Sequence, residues 1–252
     1  MINATHHYQA TIAGIDLNYD LRYEMTVGYL GVHYIKRALL DAKEPISVKD
    51  YEIQDWKNLG NSMNAHGEYS LLSLQTSEYL LHHNRCIFHS VAFIWNQKAW
   101  LLTAAPGVGK STQFKNLRKL YPDEITILNG DRPVLEAREN SQIIVHSSPW
   151  NGKENWYGFG SAPLAGVIYL KQTQANTIEQ LIPQQSVTGI MAAIFHSYEN
   201  KEIIQRAGDM ATKILKSVPV WLLSNKGDLE SSELLYQTIK QWDKEHPHEV
   251  QD

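Results

Sequence analysis

The residues best equipped for chemistry lie in one short run, Ala104-Ala105-Pro106-Gly107-Val108-Gly109-Lys110-Ser111-Thr112. Small residues let successive backbone N–H groups curl around an anion. A helix starting at the end of such a run adds the positive end of its dipole. Lys110 would reach terminal phosphates, and the Ser111 hydroxyl would help hold Mg²⁺. The spacing predicts a phosphate-binding loop with Pro106, Gly107, Val108, Gly109, Lys110, Ser111 and Thr112 as its contacts. Ala104 stands where such loops usually begin with Gly, a small change unless φ there is positive. The expected ligands are ATP, or another nucleoside triphosphate, and Mg²⁺.

Three further groups could act beside that loop. Asp131 follows the apolar run Ile125–Asn129. An acid at a strand end after a phosphate loop commonly binds Mg²⁺ or takes a proton from the nucleophile. A turn aspartate is the competing reading, since Gly-Asp before Pro also spells a turn. Arg132 reads equally well as a phosphate partner or as a solvated charge. His89 alternates with Ile87, Val91 and Phe93. On spacing alone it reads as a core histidine on an apolar strand face. Residues 147–157 crowd aromatics, amides and a Lys/Glu pair into one loop. There Trp150 is expected as a wall of a substrate site, with Lys153 and Glu154 as its polar contacts. A surface loop held by its own aromatics is the alternative.

The elements that position these groups follow from periodicity. Ala99–Thr103 is an apolar strand entering the loop. Phe114, Leu117, Leu120 and Tyr121 mark one face of a helix leaving it. Ile87–Trp95 reads as a strand, and Asn96-Gln97 as the turn of a hairpin with Lys98–Thr103. Short strands are expected at 125–129, 143–145, 166–170, 178–182 and 218–223. Helices are expected around Ile190–Phe195, Ile203–Ile214 and Leu234–Trp242. Strands and helices interleave, so the core is α/β. Residues 1–85 look different, with alternation at Tyr8–Ile12 and Ile15–Tyr19. Residues 46–58 are polar with scattered aromatics (Tyr51, Trp56), and the apolar segment Tyr79-Leu80-Leu81 follows. This part reads as a smaller α+β N-terminal domain without a legible functional motif, and 86–252 as the nucleotide-binding domain.

Bulk properties narrow the function. At 252 residues and 43% hydrophobic content a sizeable core is available. A net charge of −4 argues against general nucleic-acid binding. The single cysteine, Cys86, sits in an apolar run and reads as a buried structural thiol. No apolar run approaches a membrane span, and no basic-then-apolar leader opens the chain, so a cytoplasmic protein without membrane partners is expected.

The sequence resembles the HPr kinase/phosphorylase family and, beyond it, the phosphoenolpyruvate carboxykinase-like nucleotide-binding fold. The likeness lies in Phe88-His89-Ser90-Val91, the loop 105–112, Leu128-Asn129-Gly130-Asp131-Arg132 and Pro163–Leu170. It spans about half the chain, residues 86–225. It implies a P-loop core with a mixed sheet, and His89 and Asp131 as site residues. With Lys110 these form the catalytic set, and Ser111 and Asp131 are the implied Mg²⁺ ligands. Arg132, Trp150, Lys153 and Glu154 would face the substrate. The implied activity is an ATP- and Mg²⁺-dependent kinase acting on a serine-type hydroxyl of a small molecule, amino acid or peptide. A homo-oligomer is also among the expectations. The chain departs from the family at Gly130, where the bifunctional enzymes carry the first of two adjacent acids. A non-catalytic nucleotide-binding module is the alternative, and a carboxykinase-type enzyme a more distant one.

Overall fold

The computed structural model describes residues 6–31, 34–37, 45–47 and 61–246. Tyr51 and Trp56 lie outside the described residues. The chain opens with the hairpin β1 (His6–Ile12) and β2 (Ile15–Leu21), closed by Ala13 and Gly14 at positive φ. Two short strands, β3 (Ile35–Arg37) and β4 (Ile46–Ser47), extend it to a four-stranded sheet of order β3-β1-β2-β4. Tyr8, Ala10 and Ile12 alternate inward, as do Leu17, Tyr19 and Leu21. Helix α1 (Glu24–Leu30) follows β2, and the long helix α2 (Asn61–Leu81) packs beside it.

A larger mixed sheet follows. Its strands are β5 (Arg85–Ile87), β6 (Val91–Trp95), β7 (Lys98–Thr103), β8 (Thr126–Asn129), β9 (Val134–Ala137), β10 (Ile143–His146), β11 (Ser161–Gln172), β12 (Thr177–Leu181) and β13 (Val220–Asn225). The order runs β5-β9-β10-β11-β7-β6-β8, with β13 also on β11 and β12 on β13. The long β11 lies parallel to both β7 and β13 and antiparallel to β10. Helix α3 (Lys110–Leu120) follows β7, α4 (Pro183–Ala193) and α5 (Lys201–Ser217) precede β13, and α6 (Leu229–Glu245) closes the described chain. Side chains alternate across the sheet. Ala99, Leu101 and Val167 pack with α4 and α5, whereas Trp100, Leu102 and Ile168 pack with α3 and α6. Helices thus cover both faces, which is the α/β core expected.

Two expectations change, and one segment gains an assignment. The strand 87–95 is broken: Ile87 pairs with Val134 on β9, whereas Val91 pairs with Leu102 on β7. The chain crosses between these partners at Phe88-His89-Ser90, so His89 lies in a crossing and not on an apolar strand face. Tyr79-Leu80-Leu81 is the end of the 21-residue helix α2. Finally, Trp150 is fully buried and joins the cluster formed by β1, β2, α2, Ile87 and Val134. That cluster runs from the small sheet into the large one. The boundary drawn at residues 85–86 falls inside β5. Cys86 is fully buried, and burial pushes its thiol pKa far up, which suits the structural role expected.

The buried face of α2 mixes apolar residues (Ala65, Leu72, Leu80) with polar ones. Thr76 bonds the Tyr19 hydroxyl at 3.0 Å, and the Ser77 hydroxyl accepts from Ile87 N at 3.1 Å. The buried Glu68 carboxylate accepts from Arg22 N at 2.8 Å, from Tyr23 N at 3.3 Å and from the Thr26 hydroxyl. It therefore ties the residues that lead into α1, and the Thr26 hydroxyl of its first turn, to α2. Burial raises the Glu68 pKa, and the hydrogen bonds oppose that rise. Among the described residues no helix is long and apolar enough to cross a membrane.

Candidate functional site

Strand β7 delivers the chain to a loop at 104–109, and α3 begins at Lys110. Gly109 is the N-cap, with φ 105°, a left-handed conformation that L side chains rarely adopt. It carries no capping side chain, so the opening amides of α3 stay available to a ligand. Pro106, Gly107, Gly109, Lys110, Ser111 and Thr112 all face one cavity of about 830 Å³. Val108 does not; its side chain packs into the core beneath α3 and α6. The Lys110 ammonium bends back over the loop and donates to Ala104 O at 3.4 Å. Burial lowers its pKa, and the Asp131 charge pulls the other way.

Opposite the loop sits a charged cluster. His89 Nε2 lies 3.3 Å from Asp131 Oδ1, and Arg132 Nε 3.4 Å from Asp131 Oδ2. Burial works against the Asp131 charge. Hydrogen bonding to His89 and the charges of Arg132, His89 and Lys110 outweigh it and hold the carboxyl below the usual range. Arg132 is itself fixed: Nη1 donates to the Ser73 hydroxyl at 2.6 Å, and its guanidinium carbon sits 4.5 Å from the Phe195 ring centre. His89 is pinned through its backbone, with N donating to Ala193 O at 2.7 Å and O accepting from the Thr103 hydroxyl at 2.9 Å.

Asn129, fully buried, organises this cluster. Its Oδ1 accepts from Asp131 N at 3.0 Å and Arg132 N at 2.8 Å. Its Nδ2 donates to Ser148 O at 3.1 Å and Asn151 Oδ1 at 3.0 Å. One amide therefore ties the end of β8 to the loop 147–157. An Asn two residues before the acid in Asn-Gly-Asp is the sequence signal for such an Asx turn. Asn129→Ala is expected to destabilise the fold by about 2–4 kcal/mol, because it strands several buried partners. Urea unfolding checks this; a loss below about 0.5 kcal/mol, the scale of ordinary surface changes, would remove Asn129 from this role.

The remaining expected residues divide. Lys153 and Glu154 line the cavity, and Glu154 pairs with Lys115 of α3 at 3.0 Å. Trp150 does not face the cavity. Its indole is in the core, donating from Nε1 to Tyr69 O at 3.1 Å, and only its backbone serves the site, accepting from Arg132 N at 3.1 Å. Gly130 is packed shut: a Cβ there would lie 2.6 Å from Asn151 O and 3.0 Å from Trp156 Cβ. The sequence also gave no sign that α1 and α2 close the cavity, through Gly28, Tyr29, His66, Tyr69 and Ser70. Among the described residues no group of three or more His, Cys, Asp or Glu side chains is placed to hold a metal by itself.

No family model matches the chain. No curated protein matches it either. Among solved structures it is similar to the Hpr(Ser) kinase/phosphatase from Coxiella burnetii, with 12% identity, 63% of this chain and 95% of that chain covered, and a TM-score of 0.36.

Proposed function

We propose that this protein is an ATP- and Mg²⁺-dependent phosphotransferase whose acceptor is an alcohol hydroxyl. The observation that carries this reading is the convergence of the loop 104–112 and the His89–Asp131–Arg132 cluster on one cavity. The loop amides and Lys110 suit a polyphosphate. Ser111 and Asp131 offer hard oxygen ligands in the same cavity, a donor set that fits Mg²⁺ completed by phosphate oxygens. Mg²⁺ there would neutralise charge on the transferring group.

In the transfer, the acceptor oxygen bonds to the γ-phosphorus as the bond to the β–γ bridging oxygen breaks. ADP leaves, and the hydroxyl proton passes to the His89–Asp131 pair. A His89 ring that donates from Nε2 to Asp131 keeps Nδ1 as the acceptor for that proton. Arg132 and Lys110 stabilise charge on the phosphoryl oxygens. Asp131→Asn is expected to lower kcat by about 10²–10⁴-fold. Its effect on nucleotide Kd should stay within a few-fold. Transfer from γ-labelled ATP to a panel of hydroxyl compounds, beside calorimetric nucleotide binding, checks both. Tight nucleotide binding with no transfer to any acceptor would replace this reading with the non-catalytic module. An equal loss of turnover and affinity in Asp131→Asn would make that residue a binding group only.

A further inference from the structure

The phosphate-binding reading leaves one side of the cavity, built by α1 and α2, without a role. Tyr29 stands at 85° to His66 and at 67° to Tyr69, each with ring centres 5.9 Å apart. His66 and Tyr69 lie nearly parallel, at 29°. The three rings make a corner with one face and one edge, which is the shape a planar ring fills by stacking on one side and edge contact on the other.

The corner adjoins the reacting end of the cavity. The Tyr69 hydroxyl donates to Pro149 O at 3.4 Å and is approached by the backbone amides of Asn151 and Gly152. Ser73, one turn further along α2, holds Arg132. In an in-line transfer the donor's leaving oxygen faces the loop and the attacking oxygen faces Asp131. The body of the acceptor therefore continues past Asp131 toward α2, while the nucleoside follows α3 toward Lys115 and Glu154.

Charge decides what the corner takes. Lys110, Lys115, Arg132 and Lys153 face this cavity against Asp131 and Glu154. An excess of positive charge opposes an ammonium group on the rings, so stacking outweighs a cation–π contact. Resting on the reading above, we infer that the acceptor is an aryl-bearing alcohol: a hydroxyl with an aromatic ring within a few bonds, held by Tyr29, His66 and Tyr69.

The test uses the full chain and two aryl probes, N-acetyl-seryl-phenylalanine amide and 3-phenylpropane-1,2-diol, each against its non-aromatic counterpart (the Ser-Ala amide and propane-1,2-diol). Preference of about tenfold or more in kcat/KM for at least one aryl probe is expected, and which one separates a peptide from a small-molecule source. Tyr29→Ala with His66→Ala should raise the aryl probe's KM about tenfold and erase the preference, with nucleotide Kd moving less than twofold. Tyr29→Phe should retain it. Equal kcat/KM for aryl and non-aryl probes overturns the inference. So does a tenfold loss of ATP binding in the double variant, since the corner would then stack the nucleobase. If no probe is phosphorylated, ligand-observed NMR decides between the two readings. Aryl-probe binding that the double variant loses supports the corner while the transfer reading fails; no binding to the wild type sinks the corner as well.

Discussion

A Lys110→Met protein is expected to melt higher than the wild type while losing about 10²–10³-fold in phosphoryl transfer. The two effects share one cause. Burial holds the Lys110 pKa below its ordinary value, and Asp131 offsets this only in part. The folded state therefore disfavours the charged form. The cost is complete below the lowered pKa and fades as pH rises through it toward the unfolded value. Methionine keeps most of the side-chain volume and removes the charge, so the apo fold gains. In a chain of this size each kcal/mol recovered is worth about 2–4 °C. The same substitution removes the cation that bends over the loop to Ala104 O. Calorimetric melting at neutral and alkaline pH checks the first half, and the gap between variant and wild type should narrow as pH rises. Transfer from γ-labelled ATP checks the second; an unchanged rate would mean that the loop does not use this lysine.

Placing an acid at position 130 is expected to damage the protein rather than to add activity. The resemblance places an acid there in the bifunctional enzymes, and Gly130→Asp recreates it. In this fold a Cβ at 130 meets the backbone oxygens of Asn151 and Trp156, at 2.6 and 3.0 Å. Neither atom belongs to a flexible side-chain end, so the loop 150–157 has to move. Gly130→Ala alone should cost about 1–3 kcal/mol as an overpacked site. Gly130→Asp should cost more, since a carboxylate is pressed against carbonyl oxygens. Denaturant midpoints of both variants beside the wild type measure this. A Gly130→Asp protein with a wild-type midpoint would show that the loop yields freely.

The elements read correctly from sequence are those fixed by local chemistry. The run into and out of the loop was legible because strand alternation, small residues and a helical face follow one another without interruption. The Asn96-Gln97 turn was legible as a two-residue hairpin connection, and it takes the type I′ form, with positive φ at both positions, 48° and 60°. Helix α2 was not legible because Glu68, Ser73, Thr76 and Ser77 interrupt its inward apolar positions Ala65, Leu72 and Leu80 and so hide the apolar period. The break at His89 was hidden for the opposite reason: the apolar alternation continues straight across it. Trp150 misled because the bulk and polarity of its neighbours suggest a ligand wall, while its own ring serves the interior. The aromatic corner is tertiary. Tyr29 and the pair His66 and Tyr69 are far apart in sequence, and no spacing rule joins them.

Trp150 ends by coupling what the two sheets do. Its ring is locked among the residues of both, its indole N–H grips the helix that carries Tyr69, and its carbonyl grips the backbone of Arg132. The aromatic corner and the charged cluster therefore share one rigid fastener. On the proposed function, a tilt of α2 toward a ligand would reach the Arg132 guanidinium and a shift there would reach the corner, so grip on the acceptor and alignment of the reacting centre would move together. A change of acceptor preference made in α2 alone would carry a change of turnover with it.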